Sequence, residues 1–310
     1  MKRIQYYRYG GPEEMRLDTY ELPAPGSGEI LVRVKASSVN PVDWKLRQGA
    51  MKLITGNRWP RAMGMDFSGI VESVGKAVTR FSAGDEVFGT VPFKSSGAFA
   101  EKLITQEKLV IKKPAALTHE VAATLPVVGV TAWQALVEKG RLQSGQKVFI
   151  NGAYGAVGQA AVHIAKNLGA IVTGCVGPTS ILEAKQIGVD QVLDYTKEIP
   201  TDLNGAFDIV FDCNGSLTPK QGDVLAKRSG FVIDINPTGY KFFRSLYSSR
   251  HKLVFSSQNQ EVLQKIANLA ADGKLSISIG RTAKLHEAIA LIADLEAGKR
   301  TKGKAVIIVD

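Results

Sequence analysis

Gly152, Gly155 and Gly158 recur every third residue at the end of the segment Lys147 to Gly158 (KVFINGAYGAVG), and no other stretch of the chain is better suited to hold an anion. A turn made of bare backbone points N–H groups outward with no Cβ in the way, and a helix that starts there adds the positive end of its dipole. That combination suits a pyrophosphate. In such a loop one glycine turns the chain sharply, one lets phosphate approach the backbone, and one lets the helix pack against its sheet. The plainer alternative is a structural turn that uses glycine only for its backbone angles. If a dinucleotide binds here, the residues it meets are Asn151, Gly152, Ala153, Tyr154, Gly155, Ala156, Val157 and Gly158.

The elements that must position this loop are legible on both sides of it. The apolar run Lys147 to Asn151 predicts a strand covered on both faces, and Val157 to Leu168 (VGQAAVHIAKNL) has helical apolar spacing without proline. Strand and helix then alternate. AIVTGC, QVLDY, AFDIVFDCNG, FVIDI and KLVFSS read as strands, with TSILEAKQIG and TPKQGDVLAKR as helices between some of them. This order implies a doubly wound parallel sheet with right-handed crossovers.

The first part of the chain reads differently. Short strands at Glu29 to Ala36, Phe67 to Gly75, Asp85 to Val91 and Phe99 to Thr105, separated by Gly/Pro-rich turns, predict a compact irregular β-barrel. Helical pattern begins after a Thr118 cap, which marks the boundary. Past Ser257 come a helix, a strand (Leu275 to Gly280), a helix (Leu285 to Ala297) and the strand KAVIIV, returning the chain to its first domain. The expected division is 1–118 with 259–310, and 119–258.

A chain of 310 residues with 45% hydrophobic and 22% charged side chains is an ordinary globular composition, and its length favours two domains. No apolar run is long enough to span a membrane, and MKRIQYYRYGG lacks a signal-peptide core. Cys175 and Cys213 are too few for a metal knuckle or a disulfide framework, so a reducing, cytoplasmic setting is expected. The 39 basic against 29 acidic residues give a net charge of +10, but the excess is scattered, which argues against a dedicated nucleic-acid surface.

The segments ASSVNPVDWKLRQG, GMDFSGIVESVG, FSAGDEVFG, SGAFAEKL, LPVVGVTAWQAL, NGAYGAVG and TKGKAVIIV, in this order, resemble the medium-chain dehydrogenase/reductase superfamily, nearest its zinc-independent quinone oxidoreductase and enone reductase branch. The resemblance spans nearly the whole chain. It implies an α/β protein: a GroES-like β-barrel catalytic domain interrupted by a Rossmann domain, with relatives commonly paired through the latter as homodimers. Where zinc-dependent members carry cysteine, histidine and glutamate, this chain has Asn40, Met65 and Asp66, and zinc needs nitrogen, sulfur or carboxylate ligands that Met and Asn do not supply. No metal site is expected. Substrates that delocalise negative charge, quinones and α,β-unsaturated carbonyls, then suit hydride transfer without a Lewis acid.

The resemblance also implies roles. Asn40, at the former ligand position, is a donor to the substrate oxygen or a loop asparagine bonding its own backbone. Lys45 anchors a substrate oxygen or the cofactor ribose, or is solvated; Asp66 braces its loop rather than taking a proton; Thr131 faces the nicotinamide, or is satisfied within its helix; Trp44 and Trp59 wall the pocket or are buried aromatics. Asn214 and Gly215, then Ile235, Asn236 and Pro237, lie after successive strands on the cofactor's path. Lys304 sits near its nicotinamide end or in solvent. The stretch Gly174 to Ser180 holds no carboxylate to repel a 2′-phosphate, so NADPH is expected over NADH, with Thr179, Ser180 and Tyr195 as phosphate contacts and Lys166 or Lys185 as the nearby cation. Rival readings are a reductase of acyl-thioester alkenes or haloacrylates, with Arg47, Lys52, Arg58 and Arg61 as a cationic mouth, and an NADPH-holding RNA-binding or sensor protein without turnover.

Overall fold

Alternation of apolar residues in EILVRVKASS produces the strand around which the first sheet is built, with Ile30, Val32, Val34 and Ala36 all fully buried in the computed structural model, which describes residues 1–299 and 301–310. In chain order, β1 (Lys2–Tyr6) and β2 (Arg16–Thr19) lead to β3 (Glu29–Ser38), the short helices α1 (Pro41–Arg47) and α2 (Lys52–Thr55), and β4 (Arg61–Ala62). Then come β5 (Asp66–Val74), β6 (Glu86–Thr90), β7 (Lys102–Gln106), β8 (Val110–Lys112) and α3 (His119–Thr124). β1 pairs antiparallel with β2 and β4. β3 pairs antiparallel with β5 and β7, β5 with β6, and β6 with β8.

The glycine loop lies in the next stretch. Here α4 (Pro126–Trp133) runs into a π-helical turn, Gln134–Lys139, and is followed by β9 (Lys147–Asn151), α5 (Ala156–Asn167), β10 (Ile171–Val176), α6 (Ile181–Gln186) and β11 (Gln191–Asp194). β12 (Phe207–Asp212), α7 (Pro219–Leu225), β13 (Ala226–Asp234), α8 (Gly239–Tyr247) and β14 (His251–Leu253) complete it. The sheet order is β11-β10-β9-β12-β13-β14, all parallel, so the order reverses at β9. Open sheets of this kind bind ligands outside the carboxyl ends of the strands at that reversal.

The chain then returns through α9 (Gln260–Ala271), β15 (Ile279–Lys284), α10 (Ala288–Glu296) and β16 (Lys304–Ile308). β16 pairs antiparallel with β3 and parallel with β15, extending the first sheet. Two compact units result: Met1–Val127 with Gln258–Ala271 and Ser278–Asp310, and Val128–Ser257 with Asp272–Ile277. The core of the first unit includes Ile4, Val32, Phe67, Phe99, Ile292 and Ile307. In the second, Phe149, Phe207, Val210 and Leu225 pack together. Among the described residues no helix is long and apolar enough to cross a membrane.

Several local expectations shift. Thr118 does cap α3, its side chain accepting the Val121 N–H, but Ala123 of that helix packs on Ala36 and Val306, so the units divide at Val127/Val128. α7 ends at Leu225 because the parallel partner β12 draws Ala226 onward into β13. Leu275 and Ile277 are buried without strand pairing, and the strand starts at Ile279, where it meets Lys304 of β16. α8 occupies a stretch with no expected helix; the parallel crossover from β13 to β14 requires a connection of this length.

Candidate active site

β9 delivers its last residue, Asn151, to a loop whose backbone is almost free of side chains. Gly152 turns at φ +81°, a left-handed conformation strained for other residues, and both its N–H and that of Ala153 donate to the Cys175 carbonyl at 2.9 and 3.2 Å. Gly155 is the N-cap of α5 and places no capping side chain over the helix start. A Cβ on Gly158 would lie 2.1 Å from the Gly152 carbonyl oxygen, so only glycine allows α5 to approach the loop this closely. The open end of a 12-residue helix, bounded by bare backbone, is a cradle that a pyrophosphate fits and a Cβ would fill.

The loops after the neighbouring strands are held by carboxylates at the strand ends. Asp212, buried at the end of β12, accepts the side-chain amide of Asn151 (2.8 Å) and the backbone N–H groups of Asn214 (3.2 Å), Gly215 (2.8 Å) and Leu217 (2.9 Å). Asp234, at the end of β13, accepts the Asn236 N–H at 2.6 Å. The Lys241 ammonium of α8 joins the two, bonding Asp234 and lying 3.3 Å from Asp212. Burial pushes the Asp234 carboxyl up to about 6 against the pull of Lys241. These two aspartates and Lys241 escape a sequence reading that looks only past the strand; the visible signal was an Asp closing each apolar run, FDIVFD and FVID. Asn214, Gly215 and Asn236 do come together: a Cβ on Gly215 would lie 2.6 Å from that of Asn236.

At the end of β10, Thr179 is exposed in the turn Pro178–Ser180, and the Tyr195 ring lies over Gly177, 3.0 Å from where a Cβ would stand. Lys166 is elsewhere. Its ammonium is 2.7 Å from Asp190, which also accepts the Val172 N–H, at the opposite end of β10. Thr131 is buried on α4. Cys175 is buried too, and desolvation pushes its thiol up to about 11, consistent with a packing role.

The first unit holds a buried polar group assembled from distant parts of its chain. The Asp66 carboxylate, at the start of β5, accepts the Asn40 amide (2.8 Å), the Ser38 hydroxyl (3.1 Å) and the Val127 N–H (3.1 Å). Lys304, only 3% exposed, donates to the Asn40 side-chain oxygen (2.5 Å) and the Val39 carbonyl (3.1 Å), with its ammonium 3.6 Å from Asp66. The solvated alternative for Lys304 therefore falls. Asn40 directs its amide at Asp66 and at the Ser38 carbonyl (3.4 Å), which leaves no amide hydrogen for a substrate oxygen. Its place is within the network, where it aligns Lys304 with Asp66.

Asp43, in the first turn of α1, carries no local sequence signal that would single it out. Its carboxylate accepts the Asn40 N–H at 2.7 Å, while its second oxygen is buried without a partner among the described residues. Burial, reinforced by Asp66, pushes it up to about 8. Burial likewise raises Asp66 and lowers Lys304, each opposed by the attraction between them. With three donors and a cation beside it, Asp66 is the carboxylate better able to stay ionised, and Asp43 the one that keeps a proton at neutral pH. Lys45, on the same short helix, is exposed instead. Trp59 packs edge-on against Tyr6 and Tyr9 at centroid distances of 5.7 and 4.9 Å, and Trp44 is also half-buried against the core. Arg47 is fully buried and paired with Glu296, so it belongs to no cationic mouth.

The donors at the former ligand positions do not fit zinc. Asn40 and Asp66 are engaged with each other, and Met65 offers only a thioether, which accepts the Ser96 hydroxyl at 3.7 Å. Among the described residues no three His, Cys, Asp or Glu side chains are grouped to hold a metal.

Residues 26–115 match a family described as the alcohol dehydrogenase GroES-like domain, and residues 187–307 one described as zinc-binding dehydrogenase. The chain is 32% identical to a chloroplast envelope quinone oxidoreductase homolog of Arabidopsis thaliana, over 93% of this chain and 92% of that protein. It is 31% identical to an NADPH-dependent alkenal/one oxidoreductase of the same plant, covering 89% and 70%. Among solved structures, the quinone oxidoreductase of Coxiella burnetii superposes with a TM-score of 0.90 at 29% identity, covering 100% of this chain and 99% of that one.

Proposed function

The chain belongs to the medium-chain dehydrogenase/reductase superfamily, in its zinc-independent quinone and enone oxidoreductase branch, and on that premise we propose an NADPH-linked oxidoreductase acting on quinones or α,β-unsaturated carbonyls. The observation that carries this reading is the loop Gly152 to Gly158, where two glycines can be replaced only by straining the turn or separating helix from strand. Bound NADPH supplies a hydride to the conjugated carbon. The chain's residues hold and orient it: backbone N–H groups at the start of α5 take the pyrophosphate, and the loops shaped by Asp212 and Asp234 present Asn214, Gly215, Ile235, Asn236 and Pro237 along the rest of the dinucleotide. Thr179, Ser180 and Tyr195 take the 2′-phosphate. No carboxylate follows β10 directly; the nearest strand-end acid, Asp194, accepts from Thr196.

For the substrate, Lys45 is the cation assigned to the oxygen on which charge develops, supported by its exposure beside the Asn40 network. Thr131 is assigned to the nicotinamide end. Asn40 and Lys304 are positioning residues, and water supplies the proton. We infer a homodimer, since β14 ends its sheet and α8 exposes Tyr240, Phe243, Leu246 and Tyr247, and a cytoplasmic setting, in keeping with two unpaired cysteines. Sedimentation at monomer mass would remove the dimer.

Loss of NADPH absorbance with a panel of a benzoquinone, a 2-alkenal, an acyl-thioester alkene, a haloacrylate and a saturated ketone tests the reading. Turnover is expected on the quinone or the alkenal and not on the saturated ketone. Inertness toward both would overturn it.

A further inference from the structure

The first unit contains a cavity of about 910 Å³ that includes none of the residues assigned above to the cofactor or to quinone and enone substrates, although Arg58 and Arg61 of its wall figured in the rival reading of a cationic mouth. Arg3, Arg58, Arg61, Lys94 and Lys102 line it, and no Asp or Glu does. Lys102 is neutralised by Glu72 at 2.6 Å, whereas the other four have no acidic partner among the described residues. Gathering like charges in one concavity raises their mutual repulsion and focuses a positive potential into it, a cost that a bound anion would relieve.

The cavity is also a built feature. Arg61 is buried and acts as a strut, its two terminal nitrogens donating to the carbonyls of Thr55 (2.6 Å) at the end of α2 and Lys94 (2.7 Å) in the loop after β6, and so fastening together the two sides of the wall. On that loop Ser96 is held at φ +53°, a left-handed conformation unfavourable for a non-glycine residue, which persists only where its surroundings enforce it. The Arg3 guanidinium carbon lies over the Tyr20 ring, 4.5 Å from its centroid, and its Nε donates to the Gln5 side-chain oxygen at 2.7 Å. Beside the neutral polar residues Thr55, Asn57, Ser95 and Ser96, the wall has an apolar part to which Leu22, Leu53, Ile54, Leu103 and Ile104 contribute, with Leu53 96% and Ile54 58% exposed.

From this pairing of unneutralised cations with exposed aliphatic side chains, we propose that the cavity binds an amphipathic organic anion, an apolar body ending in a carboxylate or phosphate head. The head pairs with Arg58, Lys94 and Arg3, and the body covers Leu53 and Ile54. Hydride transfer plays no part in this binding.

Isothermal titration calorimetry on the NADPH-saturated protein, which keeps the dinucleotide site filled, tests it with decanoate, decyl phosphate, decanol and inorganic phosphate. At least one of the two amphiphilic anions binds one per chain with a Kd below about 1 mM, and decanol and inorganic phosphate bind at least about tenfold more weakly. Whichever anion binds more tightly identifies the head group. Added salt weakens the interaction. The double substitution Arg58→Gln with Lys94→Gln lowers affinity about tenfold while leaving NADPH affinity and quinone turnover unchanged. Absence of binding by both anions, equal binding of decanol or of inorganic phosphate, or full affinity in the double variant each overturns the proposal. None of these results bears on the NADPH reading, which is measured separately by turnover.

Discussion

The glycine loop of the second unit and the Asn40 group of the first are both polar, and they use their polar groups in opposite ways. Around Gly155 the helix start carries no capping side chain, so backbone donors remain for an outside anion. Around Asn40 the donors and acceptors close on one another: Ser38, Val127, Asn40 and Lys304 all converge on Asp66 or its partners. The first arrangement is left open to a ligand; the second ties a sheet together, since β3, β5 and β16 each contribute to it. Deep burial of an ion pair is therefore no mark of chemistry in itself, whereas unfilled donors beside a helix start point outward to a ligand.

The contrast can be broken most severely at Lys304. Replacing it with Met strands Asp66 in the interior, with an expected loss of about 3–5 kcal/mol in urea unfolding, and adding Asp66→Asn should recover most of it. If the two losses simply add, the network is not coupled. Gly158→Val attacks the other side: α5 is pushed off the loop, and NADPH affinity in a fluorescence titration should fall about a hundredfold with the first unit still folded. Retained affinity would remove the cradle from the binding site.

Asp43 sharpens the distinction through pH. Its folded-state pKa lies near 8, above the ordinary carboxyl value, so the native state holds a proton that the unfolded chain has released. Wild-type stability should then fall as pH rises from about 5 to about 7, by up to about 1.4 kcal/mol per unit, and Asp43→Asn should flatten that slope. Parallel slopes would place the proton elsewhere. The smallest effect is expected at Thr179, where Glu would set a carboxylate against the 2′-phosphate and move preference toward NADH about fivefold, read from the two dissociation constants.

Legibility followed the same division. The apolar run, the glycine spacing and the helix after it are local, so KVFINGAYGAVG displayed the cradle and its strand before any fold was known. The Tyr195 ring over Gly177 and the Asn214–Asn236 approach needed only the order of parallel strands to become plausible. Lys166 misled because sequence proximity to the loop ignores helix length: it sits in the last turn of α5, at the far end from the loop.

By itself the sequence determined most of the succession of strands and helices, α8 excepted, together with the glycine turn and the poor zinc donor set at Asn40, Met65 and Asp66, because backbone conformation and ligand chemistry are properties of residue type and near neighbours. The tertiary structure alone decided that Lys304 leaves solvent to meet Asn40 and Asp66, that Asp43 keeps a proton, and that Arg3, Arg58 and Lys94 share one cavity. Those outcomes depend on desolvation and on distances between residues far apart in the chain, and both come into being only when the sheets assemble.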